Sequence, residues 1–254
     1  MSAPYDNFAS FYDLEYAHRD EDISFYLGLA QECKSPILEI GVGTCRIAIP
    51  IAKAGNTVWG IDNSAEMLGV AEQKLSALPE EIRDRIFLFH RDMRDFVFKE
   101  RFPLVTIPFR AFLHNQTMED QISTLHNIHR HLKPNGILAL DLFVPIYSVF
   151  ASQKWQEKIE ESELSVSNSG VSILCDIRHS PEKQALSIEN TYRYTCNGKP
   201  KTKKCVMNYR YIFRFEMELL LKQAGFLLEH VYGGFRGERY NFNSGTAVFI
   251  ARKA

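Results

Sequence analysis

Glu39, Gly41, Gly43 and Asp62 have the residue types and spacing to hold a nucleoside that carries a positive charge. Two closely spaced glycines let the chain turn sharply and bring its backbone against a ligand. An acid about twenty positions further on, closing the next apolar stretch, can accept both hydroxyls of a ribose. Glu39 stands two positions before the first glycine, where its carboxylate repels a diphosphate and attracts a cation. The dinucleotide fingerprint asks for a third glycine where this chain has Arg46. Arg46 and Glu39 together disfavour a nicotinamide-dependent oxidoreductase. The structural alternatives are a solvated strand-end acid at Glu39 and a helix cap at Asp62.

S-adenosylmethionine fits that contrast, having an adenosine, an ammonium and a sulfonium but no phosphate. Asp92 and Met93 follow a later apolar run, where a carboxylate can accept from an adenine amino group and a thioether can pack on the ring. Pro108, Phe109 and Arg110 follow the next such run, where the sulfonium should lie. Methyltransferases of DNA bases or glutamine amides usually carry an Asn/Asp-Pro-Pro-aromatic run there, and Ile107-Pro108-Phe109-Arg110 argues against those acceptors. Arg110 could hold an anionic group of an acceptor or pair structurally. His114 could take a proton from the attacking atom. His126, His129 and His131 read as a solvated helix face, so no metal site is expected.

These residues need a frame of buried strands and helices. Helices are expected over 20–34, 46–54, 65–78, 118–132 and 216–224. Strands are expected over 37–40, 57–61, 86–89, 104–107 and 137–143, with a closing pair over 226–232 and 246–251. Such alternation implies an α/β, Rossmann-like doubly wound sheet of seven mostly parallel strands. Ligands of such sheets sit at the carboxyl ends of the strands. From 163 to 212 the pattern changes to β-type stretches with turns at Asn168-Ser169-Gly170 and Asn197-Gly198, an antiparallel β insert before the last helix. The lysines 199, 201, 203 and 204 read as a hairpin tip. Tyr192, Tyr194, Tyr209 and Tyr211 suit either a substrate cavity or a dimer face.

The chain has 254 residues, a net charge of −1 and 45% hydrophobic residues. That is enough for a core and gives no general attraction to nucleic acid or anionic lipid. No apolar stretch is long enough to span a membrane. Five cysteines without C-x-x-C spacing, and no signal segment, lead us to expect reduced thiols in a cytoplasmic setting.

The segments at Ile37–Arg46, Ile61–Leu68, Arg91–Phe96, Ile107–Arg110 and Leu132–Gly136 resemble class I S-adenosylmethionine-dependent methyltransferases. Tyr5-Asp6-Asn7-Phe8-Ala9-Ser10-Phe11-Tyr12-Asp13 and Phe213–Leu220 narrow the resemblance to a bacterial small-molecule group with an N-terminal Tyr-Asp segment. The resemblance implies methyl transfer to a nitrogen or oxygen of a small acceptor. It implies cofactor contacts from Tyr12, Glu39, Gly41, Gly43, Arg46, Asp62, Asn63, Met67, Asp92, Met93, Pro108 and Phe109. His114 and Arg110 are the catalytic candidates. Residues 1–145 and 214–254 would form the cofactor domain, and 146–213 a substrate cap or dimer element. Cys45 replaces the family's third glycine and is expected to crowd the methionyl end of the cofactor. That departure keeps a non-catalytic scaffold as the competing class.

Overall fold

The computed structural model describes residues 5–6, 8–16, 18–144, 159–166, 170–241 and 243–254, the side chains of 159–166 excepted. The strands along the chain are β1 (Ile37–Ile40), β2 (Val58–Asp62), β3 (Ile86–His90), β4 (Phe102–Ile107), β5 (Leu132–Phe143), β6 (Ile159–Val166), β7 (Val171–Ser180), β8 (Ala185–Cys196), β9 (Lys199–Arg210), β10 (Phe226–Tyr232) and β11 (Thr246–Lys253). The helices are α1 (Ala9–Glu15), α2 (Ile23–Cys33), α3 (Ala48–Lys53), α4 (Ala65–Ser76), α5 (Glu80–Arg83), α6 (Met118–His131) and α7 (Arg214–Gln223).

Seven strands form one sheet in the order β10-β11-β5-β4-β1-β2-β3. The strands from β3 to β5 run parallel, and β11 is antiparallel to both β5 and β10. The chain order reverses between β1 and β4, which opens the crevice where this architecture binds ligands. Strand β1 is buried at every position, as a central parallel strand must be. One core packs Leu125 and Ile128 of α6 and Met217 and Leu221 of α7 onto one sheet face. Another packs Tyr26, Ala48, Ile51, Ala71 and Leu75 onto the other. Each fully buried leucine, isoleucine or methionine among them contributes roughly 1.5–3 kcal/mol.

Strands β6 to β9 form a separate antiparallel sheet. It meets the N-terminal helix in a third core, where Phe11 stacks on Tyr192 at 4.3 Å. Met67 of α4 joins the same cluster.

Several elements differ from expectation for local reasons. Helix α3 starts at Ala48 because residues 43–47 are still turning. Pro50 therefore falls in its first turn, where no intrahelical partner is lost. The lysine run is strand rather than tip: β9 begins at Lys199, and Asn197 and Gly198 alone make the turn, both with positive φ. His131 is not solvated. It is buried, its Nε2 accepting from the Phe98 N–H at 3.0 Å. The expected turn residues Asn168 and Ser169, residues 146–158 and Asn7 lie outside the described residues. No described helix is long and apolar enough to cross a membrane.

Candidate active site

A cleft of about 900 Å³, its open mouth included, lies over the carboxyl ends of β1, β2 and β4. Its floor is the glycine turn. Gly41 (φ 70°) and Gly43 (φ 55°) adopt left-handed conformations that other residues resist. At Gly41 close approach adds to this: a Cβ there would sit 2.7 Å from the Ala111 Cβ. Asp62 ends β2 and ties the turn down. Its Oδ2 accepts from the Gly43 N–H and its Oδ1 from the Ser64 N–H, both at 2.9 Å. Each carboxylate oxygen keeps a lone pair that a ribose hydroxyl can use. The helix cap is Ser64, whose Oγ accepts from the Met67 N–H. Asn63 and Met67 line the cleft beside Asp62.

Glu39 lies beneath the turn, 2% exposed, and its Oε2 has no hydrogen-bond partner among the described residues. Burial pushes its carboxyl up to about 8, with Arg46 pulling the other way. A buried carboxyl without a donor suits an incoming ammonium, and Asp62 suits a ribose, so the residues present fit S-adenosylmethionine.

The other expected contacts divide. Tyr12, Gly41, Gly43, Asp62, Asn63, Met67, Met93, Pro108, Phe109 and His114 all line the cleft. Asp92 does not: Arg94 forks onto both of its oxygens, its N–H adds a further bond, and this pairing holds the carboxyl below its usual range. Arg46 also turns away. Its Nη1 donates to Asp22 and to the Arg19 carbonyl, each at 2.7 Å, and its guanidinium lies 4.8 Å from the Phe109 ring centre. Arg110 points to a smaller hollow lined by Arg19, Asp22, Asp141 and Phe235. Phe109 and Arg110 form a left-handed turn at which Phe109 borders both spaces, while Arg110 lines the hollow and His114 the cleft. The Cys45 side chain belongs to the core under the turn and does not line the cleft, so the expected crowding is absent. Its positive φ (64°) is the feature a glycine would have accommodated.

At the far end of the cleft the Tyr5 hydroxyl lies 2.9 Å from His114 Nε2, and His114 Nδ1 lies 3.2 Å from the Asn208 carbonyl. A carbonyl only accepts, so Nδ1 carries the proton and Nε2 accepts from Tyr5. Burial lowers the His114 pKa to about 4, which keeps the ring neutral near pH 7. Tyr5 is held by its own segment: Ser64 donates to Asp6 at 2.7 Å, and Lys74 and Thr44 both donate to Asp13. Sequence reasoning did not assign Arg91, Ala111, Gln116 or Asn208 to the site. Arg91 and Ala111 adjoin expected residues. Asn208 arrives on the antiparallel sheet, and its approach has no local signal.

Fold and site together define a class I S-adenosylmethionine-dependent methyltransferase, and the chain is an enzyme of that class. A family model described as a methyltransferase domain matches residues 37–136. YqeM of Bacillus subtilis (strain 168), whose methyltransferase assignment is provisional, is 28% identical over 98% of this chain and 97% of its own. The CcbJ methyltransferase from Streptomyces caelestis superposes with a TM-score of 0.82 at 22% identity, covering 100% of this chain and 98% of its own. The sugar N-methyltransferase KedS8 from Streptoalloteichus sp. ATCC 53650 gives 0.70 at 18% identity, covering 94% and 92%. These two structures share the fold.

Proposed function

We propose that the chain transfers the methyl group of S-adenosylmethionine to a nitrogen, or an oxygen, of a small-molecule acceptor, with an amino sugar as the favoured class. The observation that carries the reading is one cleft with Asp62 and the glycine turn at one end and a neutral histidine at the other, with the buried, partnerless Oε2 of Glu39 behind the turn. KedS8, a sugar N-methyltransferase, shares the whole architecture.

When bound, S-adenosylmethionine supplies a methyl group already activated on sulfur. Glu39 would take its ammonium and Asp62 its ribose, while Gly41 and Gly43 admit it to the turn. Pro108 and Phe109 align the acceptor and exclude water. Transfer of that methyl group to the acceptor atom would leave S-adenosylhomocysteine. The proton released by the acceptor passes to the Tyr5 oxygen as Tyr5 gives its own to His114 Nε2. Arg110, on this reading, orders the neighbouring turn. Residues 1–145 and 214–254 act as the cofactor domain and 146–213 as a cap on the acceptor. A cytoplasmic location suits five cysteines that form no disulfide. The proposal includes neither nucleic-acid nor membrane partners, and a homodimer is compatible with it.

Calorimetric titration of S-adenosylhomocysteine into the wild type and Asp62→Ala tests the cofactor site. Micromolar binding that weakens sharply in the variant supports it. Absence of binding to the folded wild type sinks it. A mass gain of one methyl on an amino sugar incubated with enzyme and S-adenosylmethionine then tests the acceptor.

A further inference from the structure

Phe109 (φ 54°) and Arg110 (φ 65°) are consecutive non-glycine residues in the left-handed region. Such a pair persists only where its surroundings enforce it. The enforcing group is Asp141. Strand β5 pairs Leu140 with Ile107, the last residue of β4, so Asp141 falls beside the turn that follows. Its Oδ1 accepts from the Phe109 N–H at 2.7 Å and from the Tyr26 hydroxyl at 2.7 Å, and its Oδ2 accepts from the Arg110 N–H at 3.2 Å. Two successive N–H groups on one carboxylate form an anion nest filled by the protein's own side chain. The residue is 2% exposed.

The turn carries the roof of the cleft. Phe109 lines it, edge-on to Tyr16 with ring centres 4.7 Å apart, and the following 3₁₀ turn Ala111–His114 brings Ala111 over Gly41 and His114 to Tyr5. Helix α2 and the turn after β4 thus converge on one carboxylate of β5, which does not line the cleft.

We propose that Asp141 is the positioning residue of this roof: its carboxylate locks the turn at Phe109 and Arg110 and so sets where Phe109, Ala111 and His114 meet the methyl donor. The proposal rests on the reading of the cleft as the cofactor site for its functional consequence, and on hydrogen bonds alone for the lock.

Asp141→Asn and Tyr26→Phe separate the lock from stability. The amide of the first keeps the volume but presents an NH₂ where one donor now points. The second removes one hydroxyl and leaves both backbone bonds. Thermal midpoints should fall in both. Amide exchange at Phe109 and Arg110 should accelerate about tenfold in Asp141→Asn, the scale of one charge-assisted hydrogen bond, and stay within about threefold in Tyr26→Phe. The dissociation constant of S-adenosylhomocysteine should rise in parallel in the first variant only. Unchanged exchange at these two amides in Asp141→Asn overturns the lock, and altered exchange with unchanged affinity overturns its role in the site. If the folded wild type does not bind S-adenosylhomocysteine, the cofactor reading fails, and exchange at Phe109 and Arg110 still decides the lock.

Discussion

The Tyr5 hydroxyl donates to Nε2 of His114 across 2.9 Å, though 109 positions separate the two residues. The pair joins the N-terminal segment to the loop after β4, and Tyr209, 3.3 Å from the same hydroxyl, brings in the antiparallel sheet. A neutral imidazole behind a phenol can take a proton from an acceptor without itself being exposed.

His114→Asn should therefore lower kcat by about 10²-fold, the usual worth of a positioned base. Tyr5→Phe interrupts the same relay and should lower it comparably, with little change in cofactor affinity. The His114 pKa is lowered to about 4, so the base form persists through neutral pH. The acid limb of the wild-type kcat profile should lie near that value and not near 6.5, and it should vanish in His114→Asn. Steady-state rates between pH 4 and 9 measure this; a limb at 6.5 in the wild type argues against His114.

Glu39 gives a stability prediction of opposite sign. Its folded pKa, about 8, lies above the unfolded value, so the native state holds the extra proton in between. That contribution is complete below about 4.5 and is lost as pH rises through 8, an effect of about 2 kcal/mol between pH 6 and 8. Glu39→Gln should remove this slope, stabilise the ligand-free protein at pH 8 and weaken S-adenosylhomocysteine binding. Urea unfolding at the two pH values measures the first two. Calorimetry in buffers of different ionisation enthalpy should also find a proton released by the wild type on binding at pH 7.

Arg46 and Asp22 form a buried pair, with side chains 13% and 5% exposed. Asp22→Asn leaves the guanidinium buried without its counter-charge and should cost about 3–5 kcal/mol. Denaturant unfolding checks this. Because Arg46 lies against Phe109 and not in the cleft, the folded variant should keep binding S-adenosylhomocysteine within about tenfold, and complete loss would return Arg46 to the cofactor contacts.

The seven-stranded sheet was legible because each buried parallel strand is a short apolar run closed by a turn signal, as at Ile37–Ile40 and Phe102–Ile107. The glycine turn and Asp62 were legible because their roles are set by backbone conformation over a short span. What escaped was side-chain competition. Arg94 takes Asp92, Asp22 takes Arg46, and the left-handed turn diverts Arg110; none of these follows from periodicity. Asn208 reaches His114 only through the docking of one sheet on another.

Gly41 combines positive φ with close approach, and its substitution separates fold from function. An alanine there meets the Ala111 Cβ at 2.7 Å, well inside the 3.5–4.0 Å optimum for carbon atoms, and incurs roughly 1–2 kcal/mol of left-handed strain. The cheapest relief is to lift the 3₁₀ turn Ala111–His114, which carries His114 off Tyr5 while both main cores stay closed. Gly41→Ala should fold, lose about 1–3 kcal/mol and fail to bind S-adenosylhomocysteine. Gly69→Ala is the control: nothing lies within 4 Å of its Cβ inside α4, and it should be neutral or stabilising. Adding Ala111→Gly to Gly41→Ala removes the clash but not the strain, and should restore part of the binding. Thermal midpoints and calorimetry on the four proteins decide it; no recovery in the double variant would place the defect in the glycine turn itself and not in the roof above it.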